Sequence, residues 1–158
     1  MPIAPNTTFV TGAILTAAQM NALPFGVVGT QTLTTNFATT APNTTAQASG
    51  MTLTFTEISG RIYRITAYTN LYPSGGLQAI TFRLLRNSVQ VRKFDISSAV
   101  LDTGFSFPQA FTFIYTSAAS GSVTFSTTIN AYANNTVVND YGDATYFRQF
   151  TIEDIGTS

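Results

Sequence analysis

The 158-residue chain has no cysteine, histidine or tryptophan. Without cysteine there is no disulfide framework and no thiol nucleophile. With histidine gone too, Cys/His zinc sites and every histidine-based acid–base mechanism are excluded. Charge is also scarce: 9% of residues are charged, against about 25% in a typical globular protein. Seven basic residues balance seven acidic ones, for a formal net charge of zero. Such a chain generates no field to attract nucleic acid. Long apolar runs are missing as well, since Thr, Asn, Gln or Pro interrupts every window long enough to span a membrane. No Lys or Arg precedes Arg61, so the basic start of a secretory signal is absent. The expectation is a soluble chain with no membrane association, no export signal and no cofactor.

What stands in for charge is threonine, with 28 copies. Threonine is β-branched, favours strands and turns a hydroxyl to water from the outer face of a sheet. Thirteen Phe and seven Tyr supply the large side chains that a sandwich core requires. The length suits one domain burying roughly 70% of its unfolded surface. A neutral, threonine-coated protein lacks the charge that keeps monomers apart, which points to a permanent assembly. The first charged side chain is Glu57, so Met1 to Thr56 carries none. That stretch reads either as a solvated Thr/Asn segment or as one buried against a partner, where unpaired charge would be costly. Its organised local signals favour the second.

The clearest of those signals spans Leu15 to Pro24. Thr16 and Gln19 form a capping box, and Leu15 with Met20 can form a hydrophobic staple. Pro24 ends the helix, because the residue before proline is pushed out of the helical region. About two turns result, too few to be stable alone. Met20 and Leu23 lie three apart on one face, which should rest on another chain or on the domain itself. The predicted organisation is an N-terminal anchoring arm, residues 1–26, followed by a β-sandwich domain, residues 27–158.

Beyond Pro24 the period changes to two. Met51-Thr52-Leu53-Thr54-Phe55-Thr56 alternates apolar residues with Thr throughout, as a half-buried antiparallel strand does. Further strands are predicted at 27–34, 62–69, 79–86, 89–94, 110–116, 123–131 and 145–152. Turn chemistry separates them at Ser59-Gly60, Pro73 to Gly76, Arg86-Asn87-Ser88, Ser120-Gly121 and Tyr141-Gly142. Residues 38–50 read as a polar loop and 102–108 as a Gly/Pro-interrupted crossing. Eight short strands with unequal connections predict an all-β, antiparallel, jelly-roll-like β-sandwich. The rival is a loosely immunoglobulin-like sandwich lacking its Cys–Trp–Cys core. The expected core includes Leu53, Phe55, Tyr63, Ile65, Phe82, Phe113, Phe125 and Ile129.

Chemistry-bearing clusters are few. Asn139-Asp140-Tyr141-Gly142-Asp143 places oxygen atoms around a glycine turn, but a calcium site needs six to eight ligands and the spacing matches no EF-hand loop. Glu153 and Asp154 are adjacent, so on a strand they point to opposite faces and cannot oppose each other across a cleft as glycosidase carboxyls do. Arg83, Arg86, Arg92 and Lys93 fall on one hairpin, either as a solvated face or as a basic stripe for an acidic partner. No catalytic, cofactor or metal residue is assigned, and the chain is read as a non-enzyme.

The stretch Leu15-Thr16-Ala17-Ala18-Gln19-Met20-Asn21-Ala22-Leu23-Pro24-Phe25-Gly26-Val27-Val28-Gly29 resembles the N-terminal segment of small structural proteins of tailed bacteriophages. Members show leucine-threonine-alanine-alanine, a variable pair, asparagine-alanine-leucine-proline, one residue, then glycine-valine. Gly60 to Thr66 and Phe150 to Gly156 are similar to the family's body and tail. The family often has a basic residue where this chain has Phe25. The resemblance implies a virion component with a β-rich, often trimeric body. The expectation is a capsid decoration (cement) protein docking on the major capsid lattice through Leu15, Met20, Leu23, Phe25 and Val27. Its partners would be itself, as a homotrimer, and the major capsid protein or another virion protein. The alternative is a receptor-binding, fibre-tip or minor tail module whose loop residues Tyr72 and Tyr141 stack on a host glycan.

Overall fold

The computed structural model describes residues 17–39, 46–73, 80–96, 107–131, 138–140, 142, 145 and 147–157. One short helix, α1 (Ala17–Ala22), precedes ten strands. These are β1 (Gly26–Leu33), β2 (Phe37–Ala38), β3 (Gln47–Glu57), β4 (Arg61–Pro73), β5 (Ile80–Arg86), β6 (Val89–Ile96), β7 (Phe107–Thr116), β8 (Gly121–Ala131), β9 (Val138–Asp140) and β10 (Arg148–Thr157). No described helix is long and apolar enough to cross a membrane.

The eight long strands pair as a nest of antiparallel hairpins: β5 with β6, β4 with β7, β3 with β8 and β1 with β10. Rolling up that nest produces two facing sheets. One runs β1-β10-β4 with β7 on the far side of β4, and the other runs β3-β8-β5-β6. The small strands β2 and β9 extend the first sheet beside the end of β4. This nested order is a jelly roll. It differs from the strand order of an immunoglobulin sandwich, so that rival is set aside.

Alternation builds the core. Tyr63, Ile65, Ala67 and Leu71 on β4 meet Phe82, Leu84, Val123, Phe125 and Ile129 of the facing sheet. Tyr63, Ile65, Phe82, Phe125 and Ile129 are buried as expected, whereas Leu53, Phe55 and Phe113 pack half-buried around them. Stacked and edge-on rings link the layers: Phe82 lies 4.3 Å from Phe111, and Phe55 lies 5.1 Å from Tyr63. Such pairs contribute about 0.5–1.5 kcal/mol each beyond their buried area. The β5–β6 turn places Asn87 and Ser88 at φ 48° and 67°, the doubly left-handed geometry that matches a two-residue hairpin.

Several boundaries differ from the sequence reading: β4 continues to Pro73 where 69 was expected, and β10 begins at Arg148 where 145 was expected. Residues 38–50 are not one loop, because Gln47 to Gly50 already belong to β3. The strand continues there through a register shift between Ala48 and Thr52, with Gly50 at φ 82°. Phe107 and Pro108, read as part of a crossing, pair with Leu71 and Asn70. The last strand does not stop at 152 but runs to Thr157.

Candidate functional site: the arm and its anchor

The helix α1 has six residues, too few to hold itself together in water. Its last carbonyls need partners: that of Met20 accepts from the Leu23 N–H at 3.2 Å, and one side chain serves that of Asn21. Arg61 opens β4 immediately after the Ser59-Gly60 turn. Its backbone is fixed by Ser117, whose N–H donates to the Arg61 carbonyl at 2.9 Å. The Arg61 guanidinium makes a two-pronged pair with Asp154, Nε to Oδ2 at 2.8 Å and Nη2 to Oδ1 at 2.5 Å. A third bond from the Gly156 N–H reaches Asp154 at 3.0 Å, across the register shift between Asp154 and Gly156. The remaining donors of Arg61 point outward. They bond the carbonyl of Asn21 and, at 2.6 Å, that of Leu23. The Phe25 ring lies over the same guanidinium, 4.0 Å from its centre, an attraction of about 0.5–2 kcal/mol depending on desolvation.

Arg61 therefore serves as a bolt. One side of its planar fork is held by a buried carboxylate, and the other holds the arm. Fork geometry suits it for both contacts. Nothing in the sequence spacing reveals the role, because Asp154 is 93 residues away and the arm carbonyls carry no side-chain signature. The hint in the sequence is Phe25 itself, an aromatic directly after the helix-ending Pro24.

The arm presents apolar side chains to water. Met20, Leu23, Phe25 and Val27 are 56%, 48%, 59% and 62% exposed, and neighbouring Val28 is also open. The sandwich thus does not cover Met20 and Leu23. Leu15 and the capping residue Thr16 lie outside the described residues. Val27 sits at the edge of the outer face of the first sheet, in a cross-strand row with Glu153, Arg64 and Ile114. The patch thus runs from the arm onto the sheet without a net charge.

Other clusters fall out differently. Glu153 and Asp154 do point to opposite faces: Asp154 is buried on Arg61, and Glu153 pairs with Arg64 at 2.7 Å on the outside. The Arg64 hydrogen bond holds the Glu153 carboxyl below its ordinary range. Asp140 is not available to a cation. It is buried, accepts from the Thr69 hydroxyl and the Asn70 N–H, and pairs with Arg148 at 3.2 Å. Burial raises its carboxyl above the usual range despite those partners. Tyr141 and Asp143 lie outside the described residues, and Tyr72 is half-buried.

The hairpin cations do not form one stripe. Arg86 turns toward buried Glu57 and the Tyr115 ring, and Arg92 lies over Phe113 at 5.2 Å. Only Arg83 and Lys93 are cross-strand neighbours on the outer face. There Lys93 pairs with Asp95 at 2.8 Å, and Arg83 donates to Asn130. Period two had already divided these residues between faces, and the hairpin reading grouped them by sequence proximity instead.

No protein-family model matches the chain, and no curated protein matches it. Among solved structures it is similar to the insecticidal delta-endotoxin Cry8Ea1 from Bacillus thuringiensis, at 11% identity and TM-score 0.35 over 80% of this chain and 19% of that one. It is also similar to the infectious bursal disease virus VP2 subviral particle, at 12% identity and TM-score 0.38 over 82% and 38%. A third likeness is to dimeric latent PorU from Porphyromonas gingivalis, at 12% identity and TM-score 0.32 over 85% and 11%. The chain spans well under half the length of each of these proteins. Likeness at this level bears on neither activity nor partner.

Proposed function

We propose that this protein is a non-enzymatic structural component of a bacteriophage virion, a capsid decoration protein whose N-terminal arm docks on the major capsid lattice. Its copies associate as homotrimers through apolar and threonine-rich surfaces. The observation that carries the reading is the set of large apolar side chains, Met20, Leu23, Phe25 and Val27, left open to water on an arm anchored to the body. Exposed patches of this kind mark interaction sites. Aromatic and Met anchors suit the buried centre of an interface. A segment with no charge before Glu57 leaves no ion to desolvate when it is covered. The resemblance of residues 15–29 to segments of phage structural proteins supports a capsid protein as the partner.

The test is incorporation. Phe25→Asp combined with Met20→Asp places two charges in the patch without touching the sandwich core. The variant should keep a cooperative urea transition, its midpoint lowered no further than loss of the Phe25–Arg61 contact accounts for, and be missing from purified particles. Incorporation at the wild-type copy number would remove the docking role. On a gel of particles, wild-type copy number near that of the shell protein fits a decoration protein, whereas a few copies per particle fit the fibre-tip reading. Light scattering across a salt series tests the trimer, whose mass should persist at high ionic strength, where charge-driven contacts weaken.

A further inference from the structure

The outer face of the first sheet contains a second feature, well away from the arm. Its strands place Thr30, Thr151, Thr66 and Thr112 in one cross-strand row. The next row toward the β9 end of the sheet is Thr32, Gln149, Tyr68 and Ala110. Diagonal to Tyr68 and just before β10 is Phe147, with ring centroids 6.0 Å apart and planes inclined at 45°. Phe147 is 42% exposed. Phe25, the other strongly exposed phenylalanine among the described residues, has the Arg61 guanidinium beneath its ring. Phe147 instead meets the half-buried ring of Tyr68. On the β7 side Tyr68 faces Ala110, which brings a single methyl group.

We propose that Tyr68 and Phe147 form an aromatic platform for a neutral polysaccharide, with Gln149 and Thr32 supplying hydrogen bonds at its rim. A pyranose ring offers a flat face of C–H groups bordered by hydroxyls that both donate and accept. The matching protein surface is an exposed ring edged by amides and hydroxyls, which likewise do both. Charge decides between neutral and acidic sugars. The charged pair described on this face, Arg64 and Glu153, is mutually satisfied at 2.7 Å and sums to zero. No cation is left over for a carboxylate or sulfate. The hydroxyl contacts Thr30 to Thr151 and Thr66 to Thr112 are both 3.4 Å. That is long for O–H···O, so these groups can turn to a ligand at little loss. A protein partner fits less well, because a protein interface needs a wider apolar centre than two rings. The arm and the adjoining Val27 to Ile114 row have that centre, and the Tyr68–Phe147 corner does not.

Two inclined rings hold a ligand by few contacts, so the expected dissociation constant for an oligosaccharide is about 1 mM. Saturation-transfer NMR on the full chain, with uncharged hexaoses of glucose, mannose, galactose and N-acetylglucosamine as probes, reads it. At least one hexaose should bind, and Phe147→Ala should weaken it about tenfold. Ile114→Ala, at the opposite end of the same face, should leave binding unchanged. Heparin should bind no better than the neutral probes. Four results would each overturn the proposal: no binding by any hexaose, binding unchanged in Phe147→Ala, preference for heparin, or a change of oligomeric mass in Phe147→Ala. The last would assign the face to contacts between copies. None of these results depends on whether the arm docks on a capsid.

Discussion

The two ends of β10 carry the same chemical device in different settings. Its inward side chains read Arg148, Phe150, Ile152, Asp154, all buried, so two apolar residues are flanked by an ion at each end. The ions are six residues, or about 20 Å, apart along the strand. At the β9 end Arg148 pairs with Asp140 and also bonds the carbonyls of Ser49 at 2.6 Å and Thr35 at 2.7 Å. Those carbonyls belong to β3 and to the link between β1 and β2, segments tied into the sandwich. At the arm end Asp154 pairs with Arg61, whose spare donors hold α1 and the segment leading to β1. The first device joins parts of the body to one another. The second fastens the arm to the body. A buried ion pair is weak evidence for stability, but removing one partner is expensive when the other stays buried. The two ends should therefore respond unequally to the same mutation.

The largest effect is expected from Arg148→Met. Asp140 would remain enclosed by Thr69 and Asn70, and the carbonyls of Ser49 and Thr35 would lose their donor together. Even in the native protein the Arg148 Nε has no hydrogen-bond partner. Nearby, a side chain at Gly142 would meet the Thr35 carbonyl oxygen at 2.7 Å, so this corner has no room to rearrange. The loss should be about 3–5 kcal/mol, read as a lower urea midpoint with an unchanged slope. A loss no larger than that of Arg61→Met would mean the β9 end is as compliant as the arm.

Arg61→Met should cost less, about 1–3 kcal/mol. Once the arm lifts, water reaches Asp154, and the carbonyls of Asn21 and Leu23 are solvated at once. The distinguishing measurement is hydrogen exchange. Amides of residues 17–25 should lose protection while those of β4 and β8 keep theirs. Uniform loss across the sandwich would show that Arg61 supports the core and not the arm alone.

The contrast also explains what could be read from the sequence. Period-two runs identified the strands because Thr52, Thr54 and Thr56 face water while Met51 is buried and Leu53 and Phe55 pack half-buried. Asn87-Ser88 identified the hairpin because few residues tolerate its backbone angles. Alternation assigns a face, however, and not a partner. Charged residues at inward positions resemble solvent-facing ones, so the predicted strand stops at Ile152, before Glu153-Asp154, whereas β10 continues past them. The arm's apolar residues were visible as candidates for contact. The residue that holds the arm was not, since Arg61 and Asp154 meet only after the nest of hairpins has rolled up.

The smallest effect separates the two ends by pH. Burial pushes the Asp140 carboxyl above its ordinary value of 3.8, and the bonds from Thr69, Arg148 and Asn70 only partly offset it. Between 3.8 and the raised value the folded protein holds a proton at Asp140 that the unfolded chain has released. The folded state binds more protons in that window, so this group's contribution to stability falls as pH rises and recovers as pH drops. The slope cannot exceed about 1.4 kcal/mol per pH unit for one carboxyl. Asp140→Asn removes the titrating group while keeping an acceptor for Thr69 and Asn70. The stability of the wild type minus that of Asp140→Asn should therefore decline as pH rises through the window and then level off. A difference that grows with pH would mean that Arg148 outweighs burial and holds the carboxylate ionised. The β9 end would then behave as an ordinary stabilising salt bridge, and the inequality between the two ends of β10 would rest on what each arginine holds, body segments at one end and the arm at the other.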